Sequence, residues 1–507
     1  MSDVLTSLLR RTPDAPADYH DKDTPKHLGW LMLTGLGIGA TIGAGIFVMP
    51  GTIAEKAGPA GILSFVITGF VFLFVGICYE KFAAKVPHGV SAYSYVYHSI
   101  GELFAWIVAF GLFLEYSFGA SAVAIGWSQY LKKACNYTLP SVLMGPTFDK
   151  GGHFVFGVNI VAILAVIAVT CILIFGGVTK SAKLNFLLVV LKTTLLAIFM
   201  IAGVQHIHPE NWQPFMPRGW QGVMAGAAIA VFPYVGFDAL YTFARESKSL
   251  RDTRVSTYVC IGMVAFLYVA VMAIATGIEP VFPQALKTPQ AITAPPPATA
   301  MPPTGSAAES APLAAAAPEP WPGPVNPDFK GNEASAPLAT LLMNSGEKWA
   351  GTAIAVGAVV GIFNVLLVLS MGGPRIFRNM AEDGLLPGIF ARSKNGNPIF
   401  GLLLNGVLVA TFAGFVPFES VTEMMVLGTL VAFVFVCGGA VRLKLVNPFV
   451  GLMGAVGCIA LACFLNPLVL KVYAITCPVG LVIYFLYSRK HSKLATSSAP
   501  KPENAAV

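Results

Sequence analysis

Charge is what this chain most lacks. Of its 507 residues only 11% are Asp, Glu, Lys or Arg, whereas 55% are hydrophobic, and the mean hydropathy is +0.71. Soluble domains carry roughly 25% charged residues. No single soluble core could hide this much apolar surface, so the surrounding solvent is expected to be lipid. No cleavable leader is expected either. Residues 1–27 are polar and mixed in charge, with no apolar run before a small-residue cleavage site, and they read as a cytoplasmic tail. None of the eight cysteines form a CxxC pair, and all but Cys135 fall in or beside apolar stretches. They read as small packing residues, which argues against a disulfide frame or a zinc site. The eight histidines lie outside the apolar stretches or at their edges. No metal, cofactor or acid–base cluster is therefore expected within a bilayer.

What the chain has instead is a series of apolar segments of helical length. They recur at about 28–54, 59–82, 102–130, 155–177, 184–205, 219–243, 254–279, 349–373, 398–416, 420–441, 448–466 and 468–488. Twelve transmembrane helices are expected, in an all-α membrane protein. With the N-terminus inside, the cytoplasmic segments hold 22 Lys and Arg residues and the outer loops 8. This bias places both termini, including a tail at 489–507, in the cytoplasm. It also argues against reading the net charge of +7 as a sign of nucleic-acid binding. The outer loop at 280–348 contains a tract, 291–324, with eleven alanines and ten prolines. Such a tract cannot build a packed core and reads as extended and disordered, either a periplasmic interaction arm or a tolerated insertion.

Two of the twelve spans are built to come apart. GLGIGATIGAGIFVMPG, residues 35–51 in span 1, contains six glycines, the worst common helix former after proline. Span 6, GVMAGAAIAVFPYVGFDALYTF, is interrupted by Pro233, Gly236 and Asp238. Five helices separate the two, so they head two successive blocks, and an odd number of spans inverts the second block relative to the first. Paired interrupted helices in two inverted halves point to a transporter's midplane site. A helix broken in lipid exposes unpaired backbone groups, which is costly unless something polar satisfies them. The half-helix after a break offers N–H groups and a positive dipole end to a carboxylate, while the half-helix before it offers carbonyls to an ammonium. An amino acid carries both. The competing reading is that small residues in these spans merely allow tight packing.

At these residues the chain resembles the amino acid–polyamine–organocation (APC) superfamily, and within it the bacterial relatives of the cationic amino acid transporters. GIGATIGAGIFVMPG is similar to the first-helix signature of that family, AGPAGILSF to the start of its second helix, and GWQGVMAGAAIAVFPYVGFDAL to its helix 6. SAYSYVYHSIGELFAWIVAFGLFLEY resembles its helix 2–3 stretch, and GGPRIFRNMAEDGLLP the loop after its helix 8. The resemblance implies a LeuT-type 5+5 inverted repeat, here 28–205 and 219–442 within a transport core at 28–445, followed by helices 11 and 12 at 446–488. It implies secondary transport of amino acids. It assigns the substrate carboxylate to the backbone of Ile42, Gly43, Ala44 and Gly45, next to Thr41. The amino group goes to carbonyls around Phe232, Tyr234, Val235 and Gly236, with Phe232 as an aromatic lid. Two departures stand out. Gly43-Ala44-Gly45 replaces the family's frequent Gly-Thr-Gly, and Tyr79-Glu80-Lys81 replaces Tyr-Ala-Glu, which puts a gating role for Glu80 in question.

Ionisable residues at depth are the remaining candidates. Lys192 lies about nine residues into span 5, roughly 14 Å deep at 1.5 Å per residue. A charge there costs ~2.5–3.5 kcal/mol on insertion scales. It reads either as a proton-coupling group or as a lysine bonded to helix carbonyls as a strut, and the resemblance favours coupling. Glu115 in span 3 lines the pocket or is a hydrogen-bonded structural acid. Asp238 caps or fixes the bent helix, and Asn364 and Leu369 of span 8 are candidate pocket residues. An apolar Leu369 favours neutral substrates, whereas Glu115 favours cationic ones. The expectation is a permease importing amino acids across a cell membrane, the inner membrane of a bacterium, by alternating access coupled to protons. An exchanger or uniporter without coupling, a non-transporting amino acid sensor and a membrane-embedded enzyme stand as rivals. The enzyme is disfavoured by the lack of intramembrane histidines.

Overall fold

The computed structural model describes residues 8–12, 28–86, 91–148, 154–176, 182–242, 246–282, 336–393 and 397–497. The Ala/Pro-rich tract at 291–324 lies outside them. The described chain is helical, apart from one two-stranded antiparallel pair, Thr147–Phe148 with Phe154–Val155. In chain order the helices are α1 (Trp30–Thr41), α2 (Ala44–Ala57), α3 (Gly61–Lys85), α4 (Ala92–Ser99) and α5 (Glu102–Cys135). Then come α6 (Ile160–Cys171), α7 (Ala182–Gly203), α8 (Gly219–Tyr234), α9 (Ala239–Thr242) and α10 (Leu250–Ile278). Next are α11 (Pro337–Asn344), α12 (Lys348–Glu382), α13 (Ile399–Phe415), α14 (Phe418–Arg442), α15 (Pro448–Ala462) and α16 (Pro467–Ile483), which continues as helix to His491 and is followed by a short helix at Lys493–Ser497.

Among the described residues, eight helical stretches are long and apolar enough to cross a membrane, accompanied by four shorter apolar helices. Large apolar side chains such as Phe70, Leu164, Val407 and Leu452 point outward and stay exposed, as expected where the solvent is lipid. Side chains that compete with the backbone begin several of the helices. Asn159 accepts from the Ala162 N–H at 3.0 Å, and Ser249 from the Asp252 N–H at 3.1 Å. Each satisfies one of the donors that a helix start leaves open.

Two groups of helices form the core. α2, α3, α8 and α10 pack on one another, while α5, α6, α12 and α13 form the second set, with α14 against α5 and α15. The short α4 joins α3 of the first group to α5 of the second. Small residues bring these helices close: Ser64 and Thr68 of α3 donate to the carbonyls of Val223 and Ala227 of α8, both at 2.8 Å.

Three details differ from the sequence expectation. The stretch GGPRIFRNMAEDGLLP is not a loop in its first half, because α12 runs on through Pro374 to Glu382. Gly372, Gly373 and Pro374 pack into the core. Phe113 and Asn405 lie against Gly373, and Pro374 is buried against Gly401. The segment between spans 2 and 3 forms its own helix, α4, capped by Ser91. The stretch expected as a long loop at 280–348 also contains α11, in which Leu338, Leu341 and Leu342 are wholly buried.

Candidate functional site

Helix 1 stops at Thr41 and resumes at Ala44. Ile42 and Gly43 lie between, with Gly43 extended at φ −109°, ψ −152°. Three of the four carbonyls at the end of α1 meet a donor. Ile38 O accepts from the Ile42 N–H at 2.7 Å, and Thr41 O from the Gly43 N–H at 2.7 Å. Gly39 O accepts from Lys192 Nζ of α7 at 2.9 Å. No side chain caps the start of α2, so its first N–H groups and the positive end of its dipole face the break.

Helix 6 breaks in register with it. α8 ends at Tyr234, Val235 is extended, and Gly236 takes φ +105°. A Cβ on Gly236 would lie 2.7 Å from Ala40 O, and one on Gly45 would lie 2.6 Å from the Pro233 Cα and 3.0 Å from Phe232 Cδ1. Glycine at these two positions lets the two broken backbones touch. The Asp238 carboxylate turns back onto the backbone of Gly236 and Ala239, and the N–H groups of Leu240 and Tyr241 donate to Phe237 O and Asp238 O. Tyr234 points away from the breaks, its hydroxyl donating to Phe65 O at 2.9 Å.

One residue at this junction carries no sequence signal. The Tyr268 hydroxyl of α10, fully buried, lies 3.1 Å from Thr41 O and 2.8 Å from Pro233 O. It holds a single proton and so bridges the two break carbonyls by sharing it. Its ring packs against Phe65 and Tyr234. Tyr268→Phe is expected to cost about 1–3 kcal/mol, because buried carbonyls lose a donor. Scanning fluorimetry should record a lower melting midpoint, and an unchanged one would show that the bridge contributes nothing.

The flank beside the breaks comes from α5, α12 and α14. Val365 lies 3.4 Å from where a Gly43 Cβ would sit, and both it and Asn364, one residue earlier on α12, are half-buried. Leu369 and Met425 meet at Gly119, where a Cβ would stand 3.5 Å from Leu369 Cδ1 and 3.2 Å from Met425 Sδ. Glu115 lies one turn before Gly119 on the same face, against Gly428 of α14. Its Oε2 is buried without a hydrogen-bond partner among the described residues. Val365, Met425 and Gly119 escaped the sequence reading because only packing reveals their facing positions.

Two partnered carboxylates lie nearer the ends of the helices. Buried Glu80 meets Arg254 Nε at 3.2 Å and Lys81 Nζ at 3.3 Å, tying α3 to α10. Asp383 follows α12, and Tyr93 of α4 donates to its carboxylate at 2.5 Å. Burial raises this carboxyl above its ordinary range, opposed by the Tyr93 bond.

Interrupted apolar helices that meet backbone to backbone in an envelope of exposed apolar side chains define a multi-pass membrane protein. The profile of the amino acid permease family matches residues 28–498. The chain belongs to that family, within the APC superfamily, and is a transporter-type protein, not an enzyme. It is 32% identical to the branched-chain amino acid permease BcaP of Bacillus subtilis over 493 residues, covering 94% of this chain and 95% of that one. It is 31% identical to the methylthioribose transporter of the same species over 511 residues, covering 97% and 100%. Cationic amino acid transporter 4 of Mus musculus is 28% identical, over 82% of this chain and 59% of the relative.

Proposed function

We propose that the protein carries amino acids across a cell membrane by alternating access, in a twelve-span LeuT-type arrangement with both termini in the cytoplasm. The observation that supports this most directly is the close apposition of two helix breaks, one offering uncapped N–H groups and the other carbonyls. The substrate carboxylate sits at the start of α2, on the N–H groups of Ala44 and Gly45, while those of Ile42 and Gly43, bonded to Ile38 O and Thr41 O, shape the break around it. The ammonium sits at the carbonyls of Thr41 and Pro233 that Tyr268 bridges, and Phe232 closes over it. Val365, Leu369 and Met425 surround the side chain, which favours a neutral, apolar amino acid over a cationic one. The name of the branched-chain permease relative agrees with that choice. Lys192, bonded to the released Gly39 carbonyl, couples protonation to the movement and makes the transporter a proton symporter working inward.

One observation favours a second reading. The Lys192–Gly39 bond ties α7 to α1 as a strut would, and that would suit an exchanger without proton coupling.

A thermal-shift screen against the twenty amino acids and methylthioribose tests the substrate, because only a ligand that prefers the folded state raises the midpoint. Leucine, isoleucine or valine at about 100 times its dissociation constant should stabilise by about 2.7 kcal/mol, and arginine should leave the midpoint unmoved. A shift with methylthioribose alone would overturn the amino acid reading.

A further inference from the structure

A carboxylate with no exposed surface lies where the two ends of the chain meet. Glu102 opens α5, and its N–H donates to Arg10 O at 2.8 Å. Its Oε2 accepts from Ser492 Oγ at 2.5 Å and from the Tyr97 hydroxyl at 3.2 Å. Its Oε1 accepts from the Tyr484 hydroxyl at 3.2 Å. Burying a carboxylate is costly unless donors replace its water. Here the three hydroxyls come from α4, from Tyr484 in the helical continuation of α16, and from Ser492 of the C-terminal segment, just past the end of that helix at His491.

That segment is fastened a second time, to the turn after α12. Ser488 Oγ donates to Leu385 O at 2.5 Å and the Lys493 N–H to Asp383 O at 3.0 Å. Gly384, at φ +80°, has no room for a side chain because the His491 carbonyl crosses over it. Asp383 in turn holds Tyr93 of α4. The C-terminal segment, α4 and the ends of α5 and α12 are thus connected through two carboxylates.

We propose that Ser488–Lys493 is a strap. Docked on Glu102 and on the Asp383–Leu385 turn, it holds α4 still and limits how fast this face of the protein opens. The topology supplies the reason. α4 is one of the covalent links between the two helix groups, the one that runs from α3 to α5, so a shift of α3 against α5 at this face must move it. With the strap bound, that movement breaks several hydrogen bonds at once. With it released, α4 is free to follow. This inference goes beyond the transport reading and does not depend on the substrate.

The test uses the full-length protein in lipid and two mild variants, Ser492→Ala and Tyr484→Phe, each removing one hydroxyl from Glu102. Two readouts are followed by peptide mass spectrometry. Amide hydrogen exchange over 488–495 reports the strap. Maleimide labelling of Cys260, which is buried between α1 and α10 with its Sγ against Gly37, reports opening. The expected result is at least tenfold faster exchange over 488–495 in Ser492→Ala and several-fold faster labelling of Cys260, with Tyr484→Phe in between. Unchanged exchange would show that the hydroxyl does not hold the segment. Faster exchange with unchanged Cys260 labelling would show that the segment is no restraint. Either overturns the proposal, whether or not transport is observed.

Discussion

Lys192→Met is expected to reduce uptake driven by a pH gradient at least tenfold in reconstituted liposomes, while exchange of internal for external substrate persists. Lys192 is buried and its Nζ lies 2.9 Å from Gly39 O, one of the carbonyls that the break in helix 1 releases. An ammonium can donate three hydrogen bonds, and this is the bond that ties α7 to the broken helix. Its protonation state thereby bears on where α1 sits. Methionine fills much of the same volume but cannot donate, so it removes the link without opening a large void. The variant also leaves the Gly39 carbonyl one donor short, at about 1–3 kcal/mol, so its melting midpoint should be measured alongside. Preserved gradient-driven uptake in a folded variant would reduce Lys192 to a strut and favour the exchanger reading.

The second large effect concerns two glycines. Gly45→Ala and Gly236→Ala should each lower uptake at least tenfold. Gly35→Ala and Gly262→Ala, where nothing lies within 4 Å of the added Cβ, should leave it near the unmodified level. The Gly45 Cβ would stand 2.6 Å from a backbone atom, the Pro233 Cα, and a backbone cannot rotate aside as a flexible side chain can. Gly236 combines a 2.7 Å approach to Ala40 O with a φ of +105°, which a side chain rarely adopts. Either change forces the two breaks apart and misplaces the backbone groups proposed to hold the substrate. Full uptake in Gly45→Ala would mean that the breaks need not touch, and the proposed site would fall with it.

The two glycine classes show where sequence reading stops. Six glycines in residues 35–51 signal a breakable helix, and the break does fall within them, at Ile42–Gly43. Yet Gly35 faces open space, Gly39 faces the Val189 side chain, and Gly45 faces the partner backbone. Their composition is the same, and only their neighbours separate them. The buried acids divide similarly. The depth of Glu115 is legible from its position in an apolar run, but its place beside Gly428 is not. Glu102 looks like an ordinary polar helix start, and its burial becomes visible only when residues nearly four hundred positions away are brought to it.

By itself the sequence determined the solvent, the positions of the apolar helices and the two places where they break. Those properties are local: hydrophobicity over a span and the poor helix propensity of Gly and Pro act on the chain wherever it lies. Only the tertiary structure decided that the breaks abut, that Tyr268 bridges them, that Lys192 takes the Gly39 carbonyl and that the C-terminal segment docks on Glu102. Each of these joins groups distant in sequence. A hydrogen bond or a close backbone approach depends on where the partner is in space, and no local propensity encodes that.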